Sequence, residues 1–336
     1  MHNATIFNAM AVSLATVTTA PAAGAQAQAP EVRFARQFSM GYRQFNLMEK
    51  HQLLEKHAKS AGIPDVKVKW ATFNSPAAMN DALLSGSIDI VSGGVPVLLT
   101  IWAHTRGTFN AVEGIAAFSS QPILLNTRNP NIKTIADFAE PDKIALPAVK
   151  VSVQAIILQM AAAKRWGQAN CAKLDAITVG MSPPDATVAL LSGSGDITSN
   201  FSVPPFQYQQ LQDPAIHTVL NSYDVFEGPH TFTVAWTSSQ FRDKNSTLYK
   251  ALIAAFEEAT WAGMCKKPRG YGSKRQIEVD GRSGRGHRVR QGREMDLVPE
   301  NTMRFAEFMH LAGTIKAKPT DWQELFFSDI HDLPGS

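Results

Sequence analysis

Residues 75–92 (SPAAMNDALLSGSIDIVS) and residues 182–199 (SPPDATVALLSGSGDITS) match at 11 of 18 positions, at a constant offset of 107. Both copies read as one helix–turn–strand unit. Ser75-Pro76 and Ser182-Pro183 open a helix, with Ser as N-cap and Pro at the first helical position, where no N–H is needed. A Leu-Leu pair closes the apolar run, Ser-Gly ends the helix, and a short strand follows to a polar stop at Ser92 or Ser199. Repetition of such a unit within one chain implies two similar lobes.

Beyond each repeated strand stands a second helix start. The first copy continues Ser92-Gly93-Gly94-Val95-Pro96, and the second continues Ser199-Asn200-Phe201-Ser202-Val203-Pro204. Unpaired N–H groups at such a start, together with the positive end of the helix dipole, suit an anion. In open α/β sheets, ligands bind beyond the carboxyl ends of the strands. Two lobes presenting these edges to each other make a cleft.

The rest of the chain extends this pattern. Strand-like runs at 32–38, 66–73, 88–92, 143–147, 176–179 and 196–200 alternate with helix-like runs at 44–61, 77–84, 95–104, 153–166, 185–191 and 204–212. Short strands separated by helices argue for mostly parallel sheets covered on both faces, an α/β architecture. Helical periodicity continues through Leu248, Leu252, Ile253, Phe256 and Ala259, and again through Met303, Phe305, Ala306, Phe308 and Met309.

At 336 residues, 44% hydrophobic and 18% charged, the chain has globular composition and room for about two domains. The first thirty residues lack Lys, Arg, Asp and Glu and pass from a mildly apolar run into Ala-rich sequence. Small-x-small sites at Ala23-Gly24-Ala25 and Ala25-Gln26-Ala27 read as signal-peptidase sites, so residues 1–27 are expected to be a signal peptide and the mature protein periplasmic. His2 is the nearest thing to a basic residue there, an unusual start for an exported chain. Cys171 and Cys265 are the two cysteines, too few for a disulfide framework; one bridge between them and two reduced thiols are both open.

Residues 265–293 stand apart. They hold ten Lys and Arg against Glu278 and Asp280, with six glycines and no apolar period. A basic patch, a surface loop and an out-of-frame stretch are the three readings, and the third fits best, because amphipathic sequence stops before the segment and resumes after it. The chain is +3 overall, but without this segment it is −5, so no nucleic-acid partner is implied.

Several stretches resemble the periplasmic solute-binding proteins of nitrate/sulfonate/taurine ABC importers. They are the opening Val32-Arg33-Phe34-Ala35-Arg36-Gln37-Phe38 with Tyr42, the run Leu83 to Ile90, Ser92-Gly93-Gly94-Val95-Pro96, the stretch from Asn126 to Ala145, and Asn301 to Phe308. The resemblance implies a two-lobed type II periplasmic-binding-protein fold, each lobe a mostly parallel sheet flanked by helices, with the ligand cleft between lobes. Lobe 1 is expected over 28–118, lobe 2 over 119–226, and a return to lobe 1 over 227–336, with crossings near 115–122 and 223–231. Implied partners are a small anionic or polar organic ligand and a membrane permease, for a monomeric protein without cofactor, metal or catalysis. A ligand-sensing periplasmic domain and a binder of a thiamine-pyrimidine precursor are the alternatives. Where relatives have a glycine- or serine-rich turn, residues 147–154 here contain no glycine.

The candidate ligand-binding residues follow from these positions. Ser92, Gly93 and Gly94 end one repeated strand, and Asn200, Phe201 and Ser202 end the other. Ser39 and Gln44 flank the turn after the first strand, Ser152 and Gln154 start a helix, and Phe38 and Phe73 offer aromatic walls. Asp89 and Asp196 recur at one repeat position and read as structural carboxylates; His230 and Trp236 read as structural residues near the second crossing. Ser192-Gly193-Ser194-Gly195 lacks nucleophile-elbow spacing, and the nine histidines show no His-x-x-x-His pair.

Overall fold

The structure, a computed structural model, describes residues 30–193, 195–265 and 298–336. The expected leader at 1–27, the basic stretch after residue 265 and the Cys265 side chain lie outside the described residues.

From its start the chain forms β1 (Glu31–Arg36), α1 (Arg43–His51), α2 (Leu53–Ser60), β2 (Lys67–Thr72), α3 (Pro76–Leu84), β3 (Ile90–Gly94), α4 (Val95–Thr105) and β4 (Val112–Ser120). The second sheet's elements follow: β5 (Leu124–Thr127), β6 (Lys143–Leu146), α5 (Val153–Trp166), β7 (Thr178–Gly180), α6 (Pro183–Ser192), β8 (Ile197–Ser202), α7 (Phe206–Gln210), β9 (His217–Asn221) and α8 (Ser222–Phe226). The chain then returns through β10 (Thr231–Ser238), α9 (Ser239–Lys244), α10 (Ser246–Cys265) and α11 (Thr302–Leu311).

Two five-stranded sheets result, ordered β2-β1-β3-β10-β4 and β7-β6-β8-β5-β9. In each, the first three strands are parallel, and the fourth in order runs against both its neighbours. The sheets thus share one topology, with β1, β2 and β3 matched by β6, β7 and β8. The sequence repeat is the α3–β3 unit of one sheet and the α6–β8 unit of the other.

Local chemistry sets these units. Ser182 accepts from Asp185 N as N-cap of α6, and α6 stops at Gly193, whose φ of +64° is left-handed. Asp89, just before β3, accepts from the Arg33 backbone N–H at 2.8 Å and from its guanidinium at 2.8 and 2.9 Å, locking β3 beside β1. At the equivalent position Asp196 is exposed.

The single helix expected over 44–61 is two. Gln52 adopts a left-handed conformation between α1 and α2, with φ +49°. The break re-phases the apolar stripe, so that Leu53, Leu54 and Ala58 reach the same interior as Phe45 and Met48. That interior is aromatic: Phe45 lies 5.3 Å from Phe34, 5.4 Å from Phe118 and 5.8 Å from Phe256, ring centre to ring centre. Helix α10 closes it with Leu248, Leu252, Ala255, Phe256 and Ala259, a helical spacing with one buried face. On the other side of the first sheet, a second apolar cluster runs through Val95, Val153 and Phe232 into Leu125, Ile144 and Phe201 of the second sheet. The two lobes are therefore packed against each other through their helices, not strung apart.

Candidate ligand-binding site

A small cavity lies between the sheets, and the ends of their strands and the starts of their helices line it. The first sheet's side supplies Gln37 and Phe38 from the turn after β1, Tyr42, Pro76 at the start of α3, Gly94 and Val97 at the start of α4, and Phe232 of β10. The second contributes Pro147 after β6, Ser152, Val153 and Gln154 at the start of α5, Pro183 at the start of α6, and Val203 after β8. Four helices thus point their N-termini into one space.

Such an end carries roughly half a positive charge and N–H groups with no carbonyl a turn earlier, but in α6 the prolines at 183 and 184 remove two donors and the Ser182 hydroxyl takes the third, Asp185 N. In α5 the Ser152 hydroxyl accepts from Ala155 N at 3.2 Å, which leaves the N–H groups of Val153 and Gln154 in the first turn. In α4 the proline at position 96 removes one donor, and Val95 and Val97 flank it. None of the thirteen lining residues is charged. Positive potential here comes from backbone dipoles, with three aromatic rings (Phe38, Tyr42 and Phe232) around it.

The cavity encloses about 20 Å³, room for one water. Its tightness comes from direct apposition of the lobes. A Cβ at Gly94 would overlap Val153 Cγ2 on the facing lobe. Nearby, Met40 N and the Ser39 hydroxyl both donate to Pro204 O, at 2.9 and 3.1 Å, bridging the same gap. Admission of an organic ligand therefore requires the lobes to part.

Beside this cavity, and sharing Val97 with it, an apolar groove of about 180 Å³ runs between α3 and α4 and is bounded by Val151 of the facing lobe. Ala77, Leu84 and Ile101 line it, with Asn80, Asp81, Thr100 and His104 as its polar members.

The connections between sheets run through residues 121–123 and 227–230. Hydrogen bonds tie the two together. Ile123 N donates to Ser222 Oγ at 3.0 Å, Ser222 Oγ meets His230 Nε2 at 2.9 Å, and His230 Nδ1 meets Thr231 O at 3.1 Å. With Nδ1 protonated, the Ser222 hydroxyl donates to Nε2 and every group is satisfied by a neutral ring. Burial drives the imidazole pKa down to about 4, against a weaker upward pull from the Thr231 carbonyl.

Of the residues singled out in the sequence, Phe38, Gly94, Ser152 and Gln154 line the cavity. Ser39 sits at its edge, bonded across to Pro204. The others do not line it. Ser92 is buried and donates to Val234 O at 2.9 Å, and Gly93 lies against the Trp236 ring. Gln44 is buried and donates to Phe118 O at 2.8 Å. Asn200 donates to Ala145 O and accepts from Gln210 Nε2, inside the second lobe. Phe201 is core, Ser202 is buried beside it, and Phe73 packs on the apolar cluster. Gln37, Tyr42, Val97 and Phe232 were not foreseen. The prolines of the repeated Ser-Pro pairs, Pro76 and Pro183, also face the cavity from both lobes.

The glycine-free turn at 147–154 also resolves. Lys150 takes the left-handed conformation, with φ +67°, that a glycine would adopt more readily. Ser152 follows as N-cap, so α5 still starts at the cavity.

Solved structures share this arrangement. The periplasmic sulfonate-binding protein of a sulfonate ABC transporter from Methylobacillus flagellatus KT matches 88% of this chain and 91% of its own, with a TM-score of 0.58 and 16% identity. The periplasmic nitrate-binding protein of Synechocystis PCC 6803 matches 89% of this chain and 69% of its own, with a TM-score of 0.54 and 15% identity. The chain has the two-lobed periplasmic-binding-protein fold. In sequence, it is 25% identical over 215 residues to an aliphatic sulfonates-binding protein of Escherichia coli (strain K12). That match covers 63% of this chain and 61% of the relative's length. No family model matches the chain.

Proposed function

We propose that this binding-protein fold captures a small organic oxyanion, an alkanesulfonate or close analogue, in the interlobe cavity and delivers it unchanged to the permease of an ABC importer. The convergence of helix N-termini on one cavity with no charged lining residue carries this reading, because the unspent N–H groups of α3, α4 and α5 make such a site attractive to an anion. The adjoining apolar groove favours an organic anion over nitrate, since a tail leaving the head group past Val97 meets Leu84 and Ile101. The sulfonate-binding relative and the sulfonate- and nitrate-binding fold neighbours support the same class. In this reading the protein works as a monomer outside the cytoplasmic membrane and closes on its ligand about residues 121–123 and 227–230.

Titration calorimetry of the full chain with methanesulfonate, ethanesulfonate, butanesulfonate and nitrate tests this. Micromolar or tighter binding of the sulfonates, with affinity rising along the alkyl series, is the expected result. Binding of none of the four anions would overturn it.

A further inference from the structure

We propose that Gln37 is the side-chain donor that reads the oxyanion head, its carboxamide turned toward the cavity and held there by the Tyr42 hydroxyl; this rests on the anion-binding reading above. Gln37 follows β1 directly, at the carboxyl end of a central strand of the first sheet, and lines the cavity. Its Nε2 is shielded from solvent and has no hydrogen-bond partner among the described residues. Among the residues lining the cavity, Gln37 alone has a buried side-chain N or O left unpartnered. Buried donors are nearly always satisfied, so an orphan at a ligand cavity points to a partner that arrives later.

Tyr42 sets the sense of the amide. Its hydroxyl stands 3.5 Å from Gln37 Oε1, the long end of a hydrogen bond, and the side chain is buried. Burial raises the phenol's pKa, so the group stays protonated. A protonated hydroxyl donating to Oε1 leaves both Nε2 hydrogens for another acceptor. One of these N–H groups on a neutral amide donates to a sulfonate oxygen. A ligand presenting an ammonium to Nε2 would meet a donor.

The test uses the full chain, ethanesulfonate as probe, and the variants Gln37→Met, Gln37→Glu and Tyr42→Phe, each measured by calorimetry and by thermal melting without ligand. Loss of a hydrogen bond to a charged group weakens binding about ten- to a hundredfold in Gln37→Met. Gln37→Glu, which puts an acceptor and a negative charge in the same shape, abolishes measurable binding. Tyr42→Phe weakens binding severalfold in the parent and not further in Gln37→Met, because it acts through the amide. Ligand-free Gln37→Met melts at or above the parent temperature, since it removes an unsatisfied group. Parent-like affinity in both Gln37 variants overturns the assignment, as does a clearly lower melting temperature for Gln37→Met, which would show the amide already paired. Failure of the parent itself to bind ethanesulfonate or nitrate removes the anion-binding reading and this assignment with it, a result seen before any variant is measured.

Discussion

Gly94→Ala separates closure from folding. Gly94 has φ −82°, which any residue adopts, so the added methyl brings no backbone strain. Space is the constraint: the new Cβ would overlap Val153 Cγ2, with Val153 Cβ at 3.4 Å and Phe232 O at 3.6 Å. Val153 belongs to the facing lobe, so this overlap exists only when the lobes are shut. Overpacking of this kind raises the energy of a packed state by about 1–3 kcal/mol. Since only the closed form is affected, ligand affinity falls about five- to over a hundredfold. Calorimetry with ethanesulfonate reads the affinity, and small-angle X-ray scattering reads ligand-induced compaction, which is reduced in the variant. Val153→Ala added to Gly94→Ala restores part of the lost affinity, with a coupling of at least about 1 kcal/mol in the double-mutant cycle. Parent affinity in Gly94→Ala, or zero coupling, would show that Gly94 and Val153 do not meet in the bound state.

Other residues give independent checks. Phe45→Ala, at the centre of the aromatic interior, lowers unfolding free energy by about 3–5 kcal/mol in urea denaturation; a loss below about 1 kcal/mol would contradict the packing described. His230 has its pKa lowered from 6.5 to about 4, so between those values the unfolded chain takes up a proton that the folded chain refuses. Its contribution is therefore complete above pH 6.5 and is lost as pH falls toward 4, by up to about 3 kcal/mol. In His230→Gln that part of the pH dependence disappears, and an unchanged slope would place a protonated ring in the fold. Ser152→Ala removes the N-cap of α5, lowers stability by about 1 kcal/mol and weakens ethanesulfonate binding, while Ser152→Thr restores both; an alanine variant with parent properties would remove Ser152 from the account.

The repeat at 75–92 and 182–199 made the twin-sheet plan readable, because its Ser-Pro starts and Ser-Gly stops act locally. Strands β4 and β10 were less legible. Both are buried along most of their length, so they lack the alternation that marks a half-exposed strand, and β10 joins its sheet from far away in sequence. Part of the cavity lining was hard to read for a related reason. The polar ends of β3 and β8 were expected to face the cleft, but Ser92 and Asn200 turn into hydrogen bonds within their own lobes. What reaches the cavity is the first turn of α4 and of α5, as with Val97 and Val153, and residues from elsewhere in the chain, as with Tyr42 just before α1 and Phe232 of β10. Neither a cap nor a strand end in sequence says which of two adjacent turns the facing lobe will cover.

A crystal structure of the full chain grown with ethanesulfonate bears most directly on the site. The sulfonate is expected between the first turns of α4 and α5, its oxygens within hydrogen-bond distance of the Val153 and Gln154 N–H groups and no Lys or Arg side chain in contact. A sulfonate held by a cationic side chain, or lying outside the space between Gly94 and Ser152, would contradict the reading of backbone dipoles as the anion's host.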